Sequence, residues 1–463
     1  MSKKTENLIS YGLVLLGSVI YISLCFNHNV WLDEAFTASL VRTDMLGVLE
    51  RSMADTLPPL YNIILKISTD IFGYTVPVMK LTSVLPMIIT MVLSATVVRR
   101  RHGFKSATLF TIALFTMPNL LFFGVEIRMY SLGFMFATAS GIYAYEFIKD
   151  FNKKNFIIFT LVSALAGYSH HFAFVSVGFV YLFLLIYYIV LDRGNIKRWF
   201  VCLLCTFILY IPCLIVTLRQ FKSVSGYFSM PDVTLAVFIK YCRYPFTSGN
   251  TVGSIMLLIS TLMMLFYAVI RAMKGDIEDY YALSMFLIYY GVLVFGTIVS
   301  KIMTANIFVD RYLFFAHGML WLFFAIEAGK FERYYYAFVV LAIYVGIFGF
   351  IQEYNIEYST SPDDVVSFLE SNVKDGDVLY TIEDAEEMAF CLPFYDDSLT
   401  NYEDLSEAVE EAKNNNSDIW LTVMDYSDYD FSELNQYGFV IDDGHTFTFD
   451  RYTFNIYKLS LAK

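Results

Sequence analysis

Long runs of apolar residues follow one another along most of this chain. Eleven of them are long enough to cross a bilayer, whose hydrocarbon core takes about 20 helical residues. Backbone polar groups in lipid must be paired within their own segment, so each run is predicted to be a helix. We therefore expect a polytopic α-helical membrane protein of about eleven spans. The runs are 7–26, 76–98, 106–124, 128–149, 155–171, 172–191, 199–218, 252–270, 281–300, 312–328 and 334–352.

The composition agrees with a membrane class. Of the 463 residues, 57% are hydrophobic and 16% are charged, whereas a soluble domain has about 25% charged residues. The six cysteines have neither zinc-finger nor disulfide spacing, so we interpret them as small apolar fillers. No small-residue cleavage site follows the apolar run that ends at Phe26, and this run is predicted to be a retained first helix.

Lysines and arginines indicate how the helices are oriented, because loops rich in them lie on the cytoplasmic side. They cluster in alternate loops, which puts the N-terminus in the cytoplasm. The apolar stretch 58–72 is too short to cross and is predicted to lie along the outer surface. Eleven spans then place the C-terminal tail outside, in a multi-pass protein of the plasma membrane. The clusters are Lys3 with Lys4, Arg99 to Arg101, Lys149 with Lys153 and Lys154, Arg193 with Lys197 and Arg198, Arg271 with Lys274, and Lys330 with Arg333.

The tail differs in charge from the rest of the chain. Residues 353–463 contain 26 acidic and 5 basic residues, a balance of −21; since the whole chain carries −12, residues 1–352 carry +9. Ser361 and Pro362, followed by two aspartates, are typical of a helix start. We therefore divide the chain into a transmembrane domain, 1–352, and a small, acidic extracytoplasmic α/β domain, 353–463. Strands are predicted at 377–382, 419–424 and 453–459, and a helix at 402–414.

Two external loops, 27–75 and 219–250, are long, and long ordered loops usually carry function. The first loop begins with two adjacent carboxylates, Asp33 and Glu34, just past the first span. A charge at mid-membrane costs about 2.5–3.5 kcal/mol on insertion scales, so the interface is where a working acid can sit. The alternative is an ordinary solvated turn.

The first loop continues with Pro58, Pro59 and Tyr61. Paired prolines stiffen the entry into the surface helix, although they also suit a plain loop-to-helix boundary. The second loop contains basic residues among aromatic ones, a mixture that suits an amphipathic segment at anionic headgroups; these residues are Arg219, Lys222, Tyr227, Lys240 and Arg243.

Two arginines open spanning helices from the outer side. Arg128, close to Glu126, precedes one span, and Arg311 precedes a later one. A helix N-terminus favours anions, and an arginine fork adds bidentate phosphate recognition; for Arg128 the alternative is an anchor that snorkels to the surface. His170 and His171 cap another external hairpin. They can donate hydrogen bonds to a sugar or phosphate, or form an interfacial polar turn.

At these residues the sequence resembles the GT-C-fold glycosyltransferases that use polyprenyl-phosphate sugars. It is similar to the dolichyl-phosphate-mannose-protein mannosyltransferase family, glycosyltransferase family 39, and to its bacterial aminoarabinose- and lipopolysaccharide-sugar-transferring relatives. The resemblance covers roughly residues 1–352. One departure is Leu57, where relatives often have histidine. The matching stretches are Asp33–Glu34, Pro58–Pro59–Leu60–Tyr61, Arg128–Met129–Tyr130 and Arg311–Tyr312.

The resemblance implies transfer of a hexosyl or pentosyl group from a polyprenyl-phosphate donor. The acceptor is a hydroxyl of a cell-envelope glycan, lipid or protein at the outer face. Asp33 is the candidate base that takes the acceptor proton, and Glu34 orients the acceptor or exchanges roles with it. Candidate donor phosphate- or sugar-binding residues are Arg128, Tyr130, Arg311, Tyr312, His170 and His171. Candidate acceptor-binding or loop-shaping residues are Pro58, Pro59, Tyr61 and Glu126.

A single displacement inverts the anomeric centre, whereas retention requires a carboxylate nucleophile on the opposite side of the sugar. Inversion is our prediction, because Glu126 is the one other obvious external acid near these motifs. No metal ligand spacing is convincing, so no cofactor is predicted although relatives vary in metal use, and no nucleic-acid partner is expected.

Three other functions remain open. A lipid-linked-sugar flippase or transporter requires a polar pathway through the spans, where Lys80 is the main polar exception. A polysaccharide ligase or polymerase uses diphosphate-linked donors. A non-catalytic accessory protein would present the acidic tail to the cell wall.

Overall fold

The computed structural model of this chain is mostly helical and ends in a small β-sheet. It describes residues 1–227, 233–303, 306–374, 376–382, 388, 391–392, 394, 401–402, 404–427, 429–449 and 452–462. The chain divides into two compact units. The first contains residues 1–25 and 43–353, and the second contains residues 26–42 and 354–463.

The helices of the described residues are numbered along the whole chain. They are α1 (Lys3–Ser23), α2 (Leu32–Leu40), α3 (Met45–Ala54), α4 (Leu60–Phe72), α5 (Val76–Leu93), α6 (Arg99–Ala113), α7 (Leu120–Val125), α8 (Tyr130–Lys149), α9 (Lys153–Ser169), α10 (His171–Val190), α11 (Ile196–Tyr227), α12 (Leu235–Arg243), α13 (Thr251–Ala272), α14 (Ile277–Ile302), α15 (Phe314–Gly329), α16 (Tyr335–Tyr358), α17 (Asp363–Asn372), α18 (Leu405–Asn415) and α19 (Ser432–Gln436).

Eight helical stretches in the described part of the chain are long and apolar enough to cross a membrane by length and composition. Two further predicted spans, 128–149 and 155–171, are the helices α8 and α9, of 20 and 17 residues. The prediction of a many-helix membrane chain is therefore confirmed. The eight stretches are Lys3–Ser23, Val76–Ala113, His171–Val190, Arg193–Gln220, Thr251–Ala272, Ile277–Ile302, Asp310–Gly329 and Tyr335–Asn372.

The predicted span 106–124 is wrong as one continuous helix. Helix α6 ends at Ala113 and the short helix α7 begins only at Leu120. Pro118 has no N–H to donate within a helix, and Asn119 has a left-handed backbone with φ +67°. These two residues break the helical hydrogen bonding, so the apolar run divides into two helices.

The stretch 58–72 forms α4, a helix of 13 residues that follows Pro58 and Pro59. Thirteen helical residues rise about 20 Å, which is less than the hydrocarbon core. Its buried side chains include Tyr61, Leu65 and Thr69, and their spacing of four residues marks a single buried face. Its placement along the outer surface stays a prediction.

Four charged residues join helices α13, α14 and α15 at loops predicted to be cytoplasmic. Arg271 Nε lies 3.0 Å from Asp279 Oδ1, and Lys330 Nζ lies 2.5 Å from the same oxygen. Arg271 also contacts Glu327, whose carboxylate lies 2.9 Å from Lys330 Nζ. The side chains of Asp279 and Glu327 have no exposed surface. A buried carboxylate is tolerated only when paired, so these contacts fix the ends of three helices together.

The second unit contains a five-stranded sheet in the order β2-β1-β3-β5-β4. Strand β1 is parallel to β2 and β3, and β5 is antiparallel to β3 and β4. The predicted strand 419–424 is confirmed as β3, and the predicted helix start is confirmed at α17, where Ser361 Oγ accepts from Asp363 N at 3.1 Å. The strands are β1 (Val378–Thr381), β2 (Asn401–Tyr402), β3 (Ile419–Met424), β4 (Phe439–Phe449) and β5 (Tyr452–Leu461).

The division of the chain at 352/353 into a transmembrane and an extracytoplasmic domain stays a prediction. The compact units meet in sequence at Glu353 and Tyr354, but the second unit also takes up residues 26–42. Helix α2, with Asp33 and Glu34, therefore belongs to the same compact body as the C-terminal sheet.

We expect the substitution Asp279→Asn to lower the free energy of unfolding by about 3 kcal/mol, because it removes one partner of a buried charge network. Chemical denaturation in detergent micelles measures this difference. Glu332→Gln is the control, since the Glu332 side chain is 90% exposed. Equal stability of the two variants would show that the network contributes nothing.

Candidate functional site

Arg128 and Glu126 lie in the short turn between α7 and α8 in the first unit. The backbone N–H of Arg128 donates to the carbonyl of Glu126 at 2.6 Å, which closes the turn tightly. Only 9% of Arg128 and 2% of Glu126 are exposed. A charged side chain that is shielded from water must be compensated by charges or hydrogen bonds. This burial makes Arg128 unlike an anchor that snorkels into solvent.

Arg311 and Tyr312 lie on a single 3₁₀ turn, Asp310–Leu313, which leads directly into α15. Asp310 Oδ1 accepts a hydrogen bond from the backbone N–H of Arg311 at 3.0 Å. The second oxygen of this carboxylate lies 3.4 Å from Lys240 Nζ, on α12. The turn therefore carries one negative charge, on Asp310, and one positive charge, on Arg311. Lys240 of α12 is a second positive charge close to Asp310.

His170 lies between α9 and α10 and is buried. Its Nδ1 accepts a hydrogen bond from the backbone N–H of Phe172 at 3.0 Å, which places the proton of the neutral ring on Nε2. Within the part of the chain that the structure describes, Nε2 has no hydrogen-bond partner. The ring stacks on Phe315 at 4.2 Å and lies 5.0 Å from the ring of Tyr312, measured between centroids.

Both arginines, Arg128 and Arg311, act electrostatically on His170. Burial holds the pKa of His170 well below its usual value, and the neighbouring His171 and the positive charges of Arg128 and Arg311 lower this pKa further. Arg128 and Arg311 are 183 positions apart in the sequence but act on one imidazole. The fold therefore gathers two buried or half-buried cations around a neutral histidine.

Tyr244 is a further buried residue near Glu126, Tyr130 and Arg311. It begins the short turn Tyr244–Phe246 after α12, and its carbonyl accepts from Asn119 Nδ2 at 3.2 Å. Burial raises the pKa of Tyr244, as do the nearby groups Asp310, Glu126 and Tyr130, while Arg311 lowers it. Sequence reasoning missed Tyr244, because no local pattern distinguishes it among 35 tyrosines.

Two cavities border the cluster. The apolar cavity, of about 390 Å³, is lined by His170 and Tyr312 and by aromatic and aliphatic side chains that include Phe172, Phe295 and Val299. The polar cavity, of about 550 Å³, is lined by Tyr244 and Asp310 together with Asn119, Lys240, Arg243 and Thr247. Tyr312 and Asp310 belong to the same turn, so an apolar and a charged environment begin at its two ends.

Other predicted site residues have supporting contacts in the first unit. His171 Nε2 donates to the carbonyl of Thr56 at 3.2 Å, and Gln220 Nε2 donates to the carbonyl of Leu57 at 2.8 Å. Together they hold the backbone just before Pro58 and Pro59. Tyr61 Oη bonds Ser83 Oγ at 2.6 Å and joins α4 to α5.

The ring of Tyr130, at the start of α8, is packed among phenylalanines. Its centroid lies 4.9 Å from that of Phe123 and 6.0 Å from that of Phe315. Phe315 also stacks on His170, so Tyr130 and His170 contact the same aromatic side chain. Lys80, on α5, is also buried.

Asp33 and Glu34 lie in the second unit, on the first turn of α2. Glu34 Oε2 accepts a hydrogen bond from the backbone N–H of Trp31 at 3.2 Å, and only 3% of Glu34 is exposed. Thr37 Oγ1 donates to the carbonyl of Asp33 at 2.8 Å. The two adjacent acids therefore differ: the Glu34 carboxylate closes the helix start, whereas Asp33 anchors the next turn through its carbonyl.

The residues that the structure describes contain no group of three or more histidines, cysteines, aspartates or glutamates that could hold a metal ion. The expectation that the protein needs no cofactor stays a prediction.

We expect the depressed pKa of His170 to make stability depend on pH. The unfolded chain, where a histidine has a pKa of about 6.5, binds the proton more tightly than the folded chain. The contribution of neutral His170 to the free energy of unfolding is therefore present above pH 6.5. The free energy of unfolding should fall by about 1 kcal/mol between pH 6.5 and pH 5.5. Denaturation curves of wild type and His170→Asn at both pH values test this. The same pH dependence in both proteins would contradict it.

Comparison with known proteins identifies the fold. No protein-family model and no curated protein sequence matches the chain. Among solved structures, it is similar to ArnT from Cupriavidus metallidurans in the apo state, with a TM-score of 0.66 and 13% identity over 96% of this chain and 97% of that chain. It is also similar to the same protein bound to undecaprenyl phosphate, with a TM-score of 0.65 and 13% identity over 98% of each chain. The chain therefore has the polytopic GT-C fold of ArnT, as the sequence resemblance implied.

Proposed function

We propose that this protein is a membrane glycosyltransferase that moves a sugar from a polyprenyl-phosphate donor to a hydroxyl of a cell-envelope acceptor. The observation that carries the proposal is the convergence of Arg128 and Arg311 on neutral His170, beside an apolar cavity. A polyprenyl phosphate combines an anion with an apolar chain, and both parts suit these surroundings. A protein of the same fold, ArnT from Cupriavidus metallidurans, has been crystallised bound to undecaprenyl phosphate.

The proposed role of Arg128 and Arg311 is to stabilise the phosphate as it leaves. Charge develops on the phosphate oxygens when the bond to the sugar breaks. Guanidinium groups that are already in place and shielded from water stabilise such charge strongly. Both arginines also lie at helix starts, where backbone N–H groups add positive potential.

His170 complements the arginines because its depressed pKa keeps it uncharged. A neutral imidazole does not repel the neighbouring guanidinium groups, and its Nε2–H still donates a hydrogen bond. We assign this N–H to an oxygen of the donor phosphate or sugar. Tyr130 and Tyr312, whose rings pack beside it, are proposed to orient the donor.

The two cavities suit the two ends of the donor. Aromatic and aliphatic side chains of the apolar cavity provide a surface for the first part of the prenyl chain. The polar cavity, with Lys240, Arg243 and Asp310, provides hydrogen-bonding groups for the sugar. The site is proposed to face the outer side of the plasma membrane, where the first long loop is predicted to lie.

Asp33 is proposed as the general base. The acceptor oxygen attacks the anomeric carbon, its proton passes to the Asp33 carboxylate, and the bond from carbon to phosphate oxygen breaks with its electron pair on the phosphate. This single displacement inverts the anomeric centre. Since Glu34 accepts from the Trp31 backbone, we assign it to holding the start of α2 rather than to the proton transfer.

Asp33→Asn should lower the rate of transfer by about 10²–10⁴-fold, the usual contribution of a general base. Transfer from radiolabelled polyprenyl-monophosphate sugars in purified membranes measures the rate, and Asp364→Asn is an exposed control. Equal activity of Asp33→Asn and the control would exclude Asp33 as the base. Transfer from diphosphate donors alone would replace this proposal with a ligase or polymerase.

Arg128→Gln and Arg311→Gln should each lower kcat by about 10²-fold, because each removes a fixed positive charge from the leaving phosphate. Arg333→Gln is the matched control, because Arg333 is an exposed arginine two residues before α16. Steady-state kinetics at saturating acceptor give kcat and the donor KM. Unchanged kcat in both variants would contradict the phosphate role, and movement of the lipid-linked sugar across vesicles without transfer would favour a flippase.

A further inference from the structure

We propose that Asn29 is a positioning residue that fixes the acid-bearing helix α2 to the C-terminal part of the chain. The C-terminal unit would then be a working part of the transferase rather than an attached domain. This inference rests on the proposed function, because it gives Asn29 an effect on catalysis through Asp33.

Asn29 is nearly inaccessible, with 2% of its surface exposed. Its Nδ2 donates hydrogen bonds to the carbonyl oxygens of Glu357 at 2.9 Å and Thr360 at 3.0 Å. The carbonyl of Glu357 belongs to the last turn of α16, where carbonyl groups have no partner within the helix. One buried amide therefore caps α16 and ties the segment before α2 to it.

The same segment has additional contacts around Asn29. The backbone N–H of Asn29 donates to Asn27 Oδ1 at 3.0 Å, and the backbone N–H of Phe26 donates to Tyr358 Oη at 3.1 Å. Three residues separate Asn29 from Asp33, and the Glu34 carboxylate closes the intervening turn on Trp31. This leaves little freedom between the anchor and the proposed base.

Residues at both ends of α2 make further contacts with the C-terminal part of the chain. The thiol of Cys391 lies 3.6 Å from the carbonyl of Val30, and the backbone N–H of Leu32 lies 3.5 Å from Tyr452 Oη. Beyond the other end of α2, the Arg42 guanidinium donates to the carbonyl of Phe394 at 2.9 Å. Both ends of α2 thus contact residues from 354–463.

The chemistry explains why such anchoring matters for rate. A general base acts only within hydrogen-bond reach of the proton it takes, and misplacement by about 1 Å can cost about 10²-fold in rate. The Asn29 amide donates to two carbonyl oxygens, whereas a carboxylate at the same place would repel both. Asn29→Asp therefore releases the anchor while keeping the size of the side chain.

The test compares Asn29→Asp with Asn355→Asp, an exposed asparagine on α16 that undergoes the same chemical change. We expect kcat of Asn29→Asp to fall about 10- to 100-fold, with the donor KM unchanged within about twofold, because the proposed donor-binding residues belong to the first unit. Hydrogen–deuterium exchange over residues 30–40 should increase in Asn29→Asp alone. A kcat equal to that of the control would overturn the proposal.

Two further measurements keep the test decisive. If Asn29→Asp does not fold, Arg42→Gln removes the anchor beyond the other end of α2, and its kcat should fall with the donor KM unchanged; full activity would overturn the proposal. If the wild-type protein transfers no sugar from any donor, the proposed function fails by itself. Exchange over 30–40 then still decides the anchoring, which is contradicted if Asn29→Asp and Asn355→Asp exchange alike.

Discussion

The compensation of buried positive charge is the physical constraint on which the candidate site depends. A guanidinium removed from water is stable only where helix ends, carboxylates or hydrogen bonds offset its charge. Arg128 and Arg311 meet this requirement in the same way, since each lies in a short turn that leads directly into a helix and each has an acid two positions or one position before it. Both arginines lower the pKa of the buried His170, which stays neutral and adds no third charge. The arrangement resembles a binding site that is prepared for an anion before the anion arrives, which is the condition for strong electrostatic catalysis.

The residues to which we assign the proposed chemistry belong to two compact units of different composition. Cationic and aromatic groups that suit the donor belong to the helical first unit, whereas the acid pair belongs to the unit that contains the sheet. The division also separates two demands on the chain. A lipid-linked donor requires apolar surface at the bilayer, and a proton-accepting carboxylate requires a polar environment that keeps it ionised.

Much of the helical framework could be predicted from the sequence, because long apolar runs in lipid leave few alternatives to a helix. The strand 419–424 was also predictable, since six consecutive apolar or β-forming residues preceded by Ser417 and Asp418 favour a buried strand. The break at 114–119 was missed because Pro118 and Asn119 lie within an otherwise apolar run. Strand β4 was missed because Asp442, Asp443 and Gly444 interrupt any alternating pattern. Local sequence also contains no signal for Tyr244, or for the pairing of 26–42 with the C-terminal unit, since both depend on contacts between residues far apart in the chain.

The hydrogen bond from Asn29 to Glu357 joins residues 328 positions apart. During synthesis the acid-bearing helix leaves the ribosome early, but the carbonyl groups that hold it are made only after nearly all the membrane helices. Its final position is therefore set last, when the end of the chain folds back onto its beginning. A translation product that ends before Glu357 would contain Arg128, Arg311, Asp33 and Glu34, but it would lack the carbonyl groups that hold Asn29.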